Sequence, residues 1–537
     1  MTSQLLKFSL VLISIAVFTA KIHHVTNIDD LYKVLYVQPG DTIELASGVY
    51  KPYAQLRFTY QGTKGNNIVI KPAAGAKVVL DGSNYKSARS PFVFLDKVSY
   101  VTIKDIEITN ANYRCLLVHD SYSVTIDGVY VHNCQYNGIV VSGDYITVKN
   151  SKITNTVLSN TGKMENSGWE QALSCFGKDY LNGPFSTNIL FEDNTIIDNW
   201  GEGIDFILCK NTIARRNKII NAYSCSLYVD SSSNVEIESN EIKVTDTKYM
   251  SKWGVADCIG IANEQPKSSE NTDDILIKNN LMVGCRRGVA HYNELSQRYY
   301  SNVRIYQNTM YRLTQDIPVY FKQYETSMHK SNEVANNLLI TVEKPREDRW
   351  QYFITDSKRW NNVNNVQFFS EGNPCQLFAY GMDDGCNYKD INIDESCLVV
   401  SSKLSPVKYI SEAPSDFYND ERLDKNSIGF ANAIQVGRVF TFGVPYETKF
   451  GQDLYIVGAG KALGNWNPEK AIKLEWTAGH IWKAYFSEEE AKTISEFKFI
   501  MKQGYDVTWG TGSNNKFNYD LYKGTTKDVY VQKKFNN

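Results

Sequence analysis

The stretch ILFEDNTII (189–197) sets a short strand, an asparagine and a second short strand in a row, and this unit recurs along the chain. The other copies are VTIKDIEIT (101–109), VTIDGVYVH (124–132), ITVKNSKIT (146–154), TIARRNKII (212–220), VEIESNEIK (235–243), ILIKNNLMV (275–283) and VRIYQNTMY (303–311). Their centres are 22 or 23 residues apart, or 28 to 44 residues apart where a coil is longer. Strands with alternating apolar residues at this period predict a solenoid of stacked β-coils.

The central residue of each unit has a physical role at this spacing. At a sharp corner between two strands, Asn tolerates left-handed backbone geometry. Its amide can also bond the equivalent amide of the next coil, about 4.8 Å away, which gives a buried ladder of satisfied polar groups. The pattern therefore predicts a right-handed parallel β-helix. The equivalent residues are Asp105, Gly128, Asn150, Asn194, Asn217, Asn240, Asn280 and Asn308.

Charge and aromatic content narrow the class of partner. The 57 basic and 59 acidic residues nearly balance, and no basic run stands out. This argues against nucleic acid or an anionic membrane as a partner. The chain holds 35 Tyr, 24 Phe and 9 Trp, which can fill a core or provide rings for binding sugars.

The first 20 residues read as a targeting segment. Lys7 precedes the apolar run FSLVLISIAVFTA (8–20), which is too short for a comfortable membrane span. We interpret residues 1–20 as a secretory signal peptide, although Phe18 occupies a position that favours a small residue. The prediction is a secreted protein with no membrane contact after cleavage. An uncleaved anchor is the alternative.

All ten cysteines lie between Cys115 and Cys397. An even number in a secreted chain predicts some disulfides, with the pairing left open, and buried thiols are the alternative. Neither a CxxC pair nor a His cluster has zinc spacing, so we predict no metal site of that type and no cofactor. Calcium binding and oligomeric state are not readable from this pattern.

Two segments near the start of the predicted β-helix carry a family resemblance. DDLYKVL (29–35) predicts a short amphipathic helix that caps the open end of the solenoid, before the strand TIELASG (42–48). This opening and IVIKPAAGAKVVLDG (68–82) resemble secreted β-helix polysaccharide lyases and related β-helix proteins. The resemblance implies the fold over residues 21–435, whereas many reactions share this opening.

Long insertions at Thr161–Pro184 and Asp246–Asp273 lie next to a third strand of the repeat. Loops on a rigid scaffold often carry binding sites, so these two insertions are predicted to wall a groove over the third strands of the central coils.

The acidic residues Glu202, Asp205 and Asp230 are the candidate catalytic groups. If Ile204 and Phe206 face inward, Asp205 faces outward, and the same alternation places Asp230 outward one coil later. Asp205 and Asp230 would then lie about 8 Å apart, judged from strand spacings. This separation suits an acid and a base with a water between them, as in inverting glycoside hydrolysis. Glu202 could take either role. The alternative is a solvated acidic strand face.

A polysaccharide lyase would instead need a base, often Lys or Arg, and a cation beside the uronic carboxylate. Ordinary surface side chains are the alternative interpretation of these residues. The basic candidates are Lys210, Arg215, Arg216, Arg286, Arg287 and His291.

The composition changes at Gly437, after which five short strands predict a β-sandwich over residues 436–537. This segment resembles the starch-binding carbohydrate-binding module of family 20. The matching stretches are FGQDLYIVG (450–458), ALGNWNPEKAIKL (462–474), HIWKAYF (480–486), EFKFI (496–500) and VTWGTGSNN (507–515). The resemblance implies binding of α-1,4-glucan, as in starch and glycogen.

The resemblance also implies two sugar sites in the module. Indole rings provide flat apolar platforms for sugar faces, and Lys498 should point away from the core because Phe497 and Phe499 flank it on a strand. Gly510 departs from the Glu that is common in the family at that position. The alternative is that the rings fill the core. The first site would use Trp466, Lys498 and Trp509 with Asn514 nearby, and the second Trp482, Phe450 and Trp476.

The sequence therefore predicts an all-β chain, a β-helix followed by an antiparallel starch-binding sandwich. Three functions remain open. The favoured one is a carbohydrate-active enzyme, a glycoside hydrolase acting on α-glucan or on a polysaccharide found with it. The others are a non-catalytic glycan-binding or coat protein and a polysaccharide lyase.

Overall fold

The structure is a computed structural model that describes residues 20–34, 36–162, 169–251, 254–265, 271–294, 298–311, 313–314, 318–321, 330–341, 360–363, 365–369, 378–380, 392–394, 399–401, 440–449, 452–477, 480–486, 488–503, 506–522 and 529–535. The predicted signal peptide, apart from Ala20, and the candidate sugar ligand Phe450 lie outside the described residues. The chain forms two compact units, Met1–Ala433 and Ile434–Asn537.

The first unit is a parallel β-helix, as the sequence predicts. Each coil contributes strands to three columns, and equivalent strands of successive coils pair in parallel. Leu116–Asp127 and Ile139–Lys149 each run from the third column of one coil into the first column of the next. The remaining first-column strands are Ile22–Val25, Thr42–Leu45, Ile68–Pro72, Ser99–Lys104, Ser186–Glu192, Cys209–Arg215, Ser233–Glu238, Thr272–Lys278, Tyr300–Tyr306, Asn332–Ala335 and Trp360–Val363.

The other two columns complete each coil. The second-column strands are Gly48–Tyr50, Val78–Asp81, Glu107–Thr109, Tyr130–His132, Lys152–Thr154, Thr195–Asn199, Lys218–Ala222, Glu241–Lys243, Leu281–Val283, Thr309–Tyr311, Leu338–Thr341 and Val366–Phe369. The remaining third-column strands are Leu56–Phe58, Val93–Asp96, Gln171–Phe176, Glu202–Ile207, Leu227–Asp230, Ile259–Asn263, Val289–Glu294 and Val319–Tyr320. Antiparallel pairing joins Phe378–Tyr380 to Val366–Phe369, and Asn392–Asp394 to Val399–Ser401.

Short helices lie at the edges of this unit. The predicted N-terminal helix is present at Ile28–Lys33, where the Asn27 side chain accepts a hydrogen bond from the Asp30 amide (2.9 Å) and Leu31 is buried. The other helical segments of the unit are Gly82–Asn84, Leu158–Asn160, Lys178–Leu181 and Thr247–Tyr249. None of the described helices of the chain is long and apolar enough to cross a membrane.

A ladder of buried asparagines joins the first column to the second. Each side-chain amide donates to the side-chain carbonyl of the next Asn at 2.8–3.0 Å, and that carbonyl also accepts the backbone N–H of the preceding Asn. The predicted ladder is therefore confirmed from Asn194 to Asn308, and it continues through two further coils. Its members are Asn194, Asn217, Asn240, Asn280, Asn308, Asn337 and Asn365.

Two details of the predicted ladder are wrong. Ser151, not Asn150, occupies the ladder position: its amide donates to the Asn194 carbonyl (3.1 Å), and its hydroxyl accepts the Val129 amide (3.2 Å). Asp105, Gly128 and Asn150 instead hold the left-handed corner one residue earlier. The corner and the ladder are thus separate positions, because the left-handed residue turns the chain and its successor points the amide inward.

Apolar side chains fill the inside of the coils. Every second residue of the first-column strands points inward, as Ile189 and Phe191 do, and these side chains form one continuous buried cluster. Disulfides join Cys115 to Cys134 and Cys258 to Cys285. The described thiols Cys175, Cys209 and Cys225 are free and buried. The disulfides predicted from the sequence and the buried thiols considered as the alternative are therefore both present.

The second unit is a two-sheet sandwich around its own core. One sheet contains Glu475–Thr477, Ile481–Phe486, Phe440–Pro445 and Val529–Gln532, and the last two strands are parallel. The other contains Ile472–Lys473, Asp453–Gly458, Glu496–Gln503 and Asp506–Trp509, with Asn515–Lys516 paired to Glu496–Gln503. All other pairs are antiparallel. The helical segments of this unit are Lys461–Trp466, Pro468–Lys470, Glu488–Thr493 and Tyr519–Tyr522.

The ladder predicts a large difference between two asparagines of one coil. Asn240→Ala leaves the buried Asn217 amides without their acceptor, so we expect it to lower the free energy of unfolding by about 2–4 kcal/mol. Asn234→Gly, at an exposed left-handed corner, should change it by less than about 0.5 kcal/mol. Urea denaturation measures both, and equal losses would contradict a structural role for the ladder.

Candidate functional site

The third column carries the acidic residues that the sequence singled out. The register aligns Asp205 with Tyr228 of the next coil, and Ile207 with Asp230. Ile204 and Phe206 lie in the core, so Asp205 and Asp230 are on the opposite face of the sheet. Asp230 is therefore one coil and two residues from Asp205, about 8 Å by strand spacings.

The burial of these carboxylates corrects one expectation. Asp205 was expected to face an open groove, but it is 0% exposed, and Asp230 is 1% exposed. Both carboxylate oxygens of Asp205 are buried without a well-formed hydrogen bond to the residues that the structure describes. Residues from other coils and from the insertions cover this face, which strand alternation alone does not show.

Residues of the two insertions line a half-open cavity of about 430 Å³ over the central third-column strands. Each insertion is divided by a third-column strand, since Gln171–Phe176 and Ile259–Asn263 fall within the predicted ranges. Trp169 comes from the first insertion, and it is 50% exposed. Glu202 and Asp230 are among the lining side chains, whereas Asp205 is not.

The second insertion holds Asp230 in place. Its carboxylate accepts hydrogen bonds from the Gln265 side-chain amide (2.5 Å), the Glu264 backbone amide (2.7 Å) and the Ser231 hydroxyl (2.9 Å). The Tyr228 hydroxyl donates to Glu264 Oε2 (2.9 Å). Three donors on one carboxylate favour its charged form, although burial raises the pKa of Asp230.

Tyr228 covers the floor of the cavity. A Cβ atom at Gly260 would lie 2.6 Å from the Tyr228 ring and 2.9 Å from the Cys225 Sγ, so glycine is needed for the ring to lie across the next coil. Tyr292 meets Tyr228 edge to face at 5.7 Å. Both rings line the cavity, and burial raises the pKa of each phenol well above its usual range. They are therefore neutral hydroxyl donors.

Glu202 and Asp205 form a coupled acidic pair. Burial raises the pKa of Glu202 to about 7. Burial, followed by the charge of Glu202, raises the pKa of Asp205 well above its usual range. Two buried carboxyl groups this close cannot both be charged at low cost, so at least one holds a proton near neutral pH.

Three of the basic candidate residues contact partners away from the cavity. Arg215 and Arg216 pair with Glu192 on the first column, and Arg216 also pairs with Asp193. Lys210 lies over the Phe185 ring at 4.3 Å. None of these is among the side chains that line the cavity.

His291 aligns with the core residue Ile261, and the second arginine pair binds Asp257. His291 is buried and stacks on Phe321 at 5.8 Å. Arg286 and Arg287 each donate two hydrogen bonds of 2.6–3.0 Å to the Asp257 carboxylate. Arg286 also lines the cavity. Its pairing with Asp257 raises the pKa of Arg286 further, so it cannot serve as a base.

Several residues of this site were missed from the sequence. The alternation of Leu227–Asp230 indicates that Tyr228 faces the same side as Asp230, although Tyr228 is not among the candidate catalytic residues. The others come from insertions and corners that carry no periodic pattern. They are Trp169, Gln171, Glu264, Gln265 and Tyr292. Among the described residues, no group of three or more His, Cys, Asp or Glu side chains is placed to hold a metal ion.

The predicted first sugar site of the C-terminal unit surrounds the strand Glu496–Gln503. Lys498 points away from the buried Phe497 and Phe499, and its ammonium donates to the carbonyls of Gly510 (3.1 Å) and Gly512 (2.8 Å). These bonds brace the loop that follows Trp509, whose ring is 39% exposed.

Two further residues of the predicted first site lie on neighbouring segments. Trp466 is half-buried at the end of the helical segment Lys461–Trp466. Asn514 is exposed and donates to Glu496 Oε2 (3.1 Å).

The predicted second site needs a correction at Trp482. This ring is only 6% exposed and its indole N–H donates to the Tyr446 carbonyl (3.1 Å). It shares the inward face of its strand with Ala484 and Phe486, so it is a core residue and not an exposed platform. Its cross-strand neighbour Trp476 is 54% exposed and is the ring available to a sugar.

Comparisons with known proteins agree with both units. Residues 27–302 match the family profile described as "Pel9A-like, right handed beta helix region". Residues 437–528 match the profile of the CBM20 starch binding domain.

Two curated relatives match in the region of the second unit. A cyclomaltodextrin glucanotransferase of Niallia circulans is 43% identical over 74 residues, which make up 13% of this chain and 10% of that protein. An alpha-amylase of Streptomyces violaceus is 37% identical over 75 residues, 14% of this chain and 13% of that protein. The chain thus spans about a tenth of the length of these relatives. The solved structure of pectate lyase Pel9A is 15% identical, with a TM-score of 0.40, covering 57% of this chain and 80% of that one.

The acidic pair predicts a pH-dependent stability. Between the ordinary carboxyl pKa and about 7, folded Glu202 retains a proton that the unfolded chain releases, so the free energy of unfolding falls as pH rises through this window. Glu202→Gln removes this loss. We expect the variant to gain more in Tm over the parent at pH 8 than at pH 4.5, as measured by thermal denaturation. A constant difference between the two pH values would contradict the raised pKa.

Proposed function

Since the chain belongs to the Pel9A-like right-handed β-helix family, whose profile spans more than half of it, we propose that its β-helix is a carbohydrate-active enzyme that hydrolyses a neutral polysaccharide. The observation that carries the proposal is the charge of the cavity. Glu202, Asp230 and Glu264 line it, whereas its one guanidinium among the described lining residues is already paired with Asp257. Such a wall disfavours a uronic carboxylate and suits an uncharged sugar chain.

The proposed reaction is a single displacement at the anomeric carbon. The buried Glu202–Asp205 pair holds a proton near neutral pH and gives it to the glycosidic oxygen as the glycosidic bond breaks. Asp230 takes a proton from a water whose oxygen bonds to the anomeric carbon from the opposite face. By strand spacings, Asp230 lies about 8 Å from Asp205, a member of the Glu202–Asp205 pair, which is within the range of carboxyl separations in inverting enzymes.

The remaining cavity residues have supporting roles in this proposal. The exposed indole of Trp169 offers a platform for a sugar ring at the cavity wall. The Tyr228 and Tyr292 hydroxyl oxygens can accept hydrogen bonds from sugar hydroxyls. Gln265 and the Glu264 amide keep Asp230 oriented.

We further propose that the C-terminal unit binds starch-type α-glucan and so keeps the β-helix close to a glucan-containing substrate. The match to the starch binding domain and the exposed rings of Trp509 and Trp476 support this role. We also propose that the chain is secreted, on the basis of the apolar run 8–20 and the two disulfides of the first unit.

The reaction is tested by assaying new reducing ends beside unsaturated uronic products, on amylose, glycogen, polygalacturonate and alginate. We expect reducing ends only, from a neutral polymer. Glu202→Gln and Asp230→Asn should each lower kcat by about a hundredfold or more, the range that removal of a general acid or base produces. Glu238→Gln, on the first column, is the matched control and should leave kcat unchanged.

Other outcomes would redirect the proposal. Unsaturated products from polygalacturonate or alginate would establish a lyase. Full activity in both acidic-site variants would remove these residues from the mechanism. The second candidate function is a non-catalytic glycan-binding protein. It is supported by the burial of Asp205 and Asp230, and would be established by retention on amylose with no product from any polymer.

Glucan binding by the module has its own test. Trp466→Ala combined with Trp509→Ala should weaken retention on amylose by about 2 kcal/mol, since a stacked aromatic ring contributes about 1 kcal/mol beyond its buried area. Leu521→Ala, which truncates another exposed apolar side chain of the unit, is the control and should have no effect. Unchanged retention in the double variant would place binding at Trp476.

A further inference from the structure

Three neighbouring tyrosine rings, two exposed and one half-buried, form a row on the N-terminal coils of the β-helix. Tyr122 lies between Tyr100 and Tyr145, with ring centroids 5.5 Å and 5.4 Å apart. Tyr122 is 43% exposed and Tyr145 is 54% exposed. We call these three residues the tyrosine row. Their rings lie on the outer surface at the turn into the first column, and they do not line the cavity.

The backbone at this row is unusual for tyrosine. Tyr100 and Tyr145 have φ of 49° and 57°, in the left-handed region. Later coils place Asn188, Asn211 and Asn234 at the equivalent turn, with φ of 57°, 55° and 51°. Asparagine tolerates this conformation, whereas a bulky side chain there costs of order 1 kcal/mol or more. Two N-terminal coils therefore carry a strained tyrosine at a turn where Ser123 in the coil between them, and asparagine in later coils, serve.

The chemistry of the row fits a sugar chain. The exposed rings offer apolar surface, and the Tyr100 and Tyr122 hydroxyls lie close enough to interact. Asp144, beside Tyr145 in the chain, and Lys64 both influence the Tyr122 phenol, so charges of both signs lie nearby. An uncharged ligand with apolar faces and hydroxyl edges matches this surface. A strongly anionic ligand does not, because no cluster of cations surrounds the rings in the described part of the chain.

We infer that the tyrosine row is a binding surface for a neutral glucan chain, separate from both the cavity and the C-terminal unit. Contiguous exposed aromatic surface on a soluble protein commonly marks an interaction site. The other unit of this chain matches a starch binding domain, which indicates that polysaccharide is the partner this molecule meets. The tyrosine row would allow the β-helix to bind the glucan directly, whether or not the cavity is catalytic.

The test uses the full chain carrying Trp466→Ala, Trp476→Ala and Trp509→Ala, so that binding by the C-terminal unit is weakened. Tyr100→Asn with Tyr145→Asn is then added, which gives these turns the residue that later coils use. Affinity electrophoresis in gels containing amylose measures binding to a neutral glucan. A gel containing polygalacturonate tests whether the surface binds an anionic polysaccharide instead. We expect retardation by amylose to fall roughly fivefold for each ring removed, while Tm stays the same or rises.

The control is Asn211→Gly with Asn234→Gly in the same parent, which changes the same turn on later coils and removes no ring. It should be retarded as strongly as the parent. Equal retardation of the tyrosine variant and its parent, or a parent that amylose does not retard, would overturn the inference. So would a fall in Tm with unchanged retardation, which indicates a row that only packs the turn. Retardation by polygalacturonate alone would exclude a neutral ligand.

Discussion

The structure depends on the hydrogen bonds that fix one coil directly above the next. At the corner between the first and second columns, each ladder asparagine accepts two hydrogen bonds from its predecessor through a single side-chain oxygen. A shift by one residue would leave these buried amides without acceptors and would turn the apolar strand faces outward. The ladder therefore sets the register of every strand that follows it in the coil, including the third-column strands.

That register creates the acidic site. Asp205 and Asp230 share one face because Ile204 and Phe206 occupy the other, and their separation follows from the pairing of two neighbouring coils. Burying carboxyl groups at such a site is costly unless they are protonated or hydrogen-bonded. The site contains both hydrogen-bonded and protonated carboxyl groups. Asp230 has three donors, whereas Glu202 and Asp205 have raised pKa values. Asp230 is therefore the charged carboxylate of the site, whereas Glu202 and Asp205 together hold a proton.

The sequence was sufficient for features with a local cause. Strand alternation placed Asp205 opposite the core and oriented Lys498, and the repeat located the ladder from Asn194 onward. It was insufficient where a distant residue decides the outcome. Ser151 replaces an asparagine in the ladder because its hydroxyl can accept the Val129 amide, which only the stacked coils reveal.

Burial was the hardest property to read from the chain. The cover over Asp205 involves other coils and the insertions, and so does the contact of Gln265 with Asp230, 35 residues away in sequence. At Trp482 the local sequence pattern was right about burial and the family resemblance was wrong. The family resemblance suggested a ligand platform, although alternation with Ala484 and Phe486 already placed this ring inside.

The two kinds of corner differ in how freely their length varies. From Ser99–Lys104 to Leu338–Thr341, the first and second columns are always joined by two residues, one left-handed and one at the ladder position. Between the strands of the structure, the connections into the third column range from 2 to 16 residues, and those out of it range from direct continuation to 11 residues. Substrate preference in such a scaffold can therefore diverge through loop replacement while the stacking of the solenoid is conserved. New specificities would be acquired by lengthening or shortening the walls of the cavity.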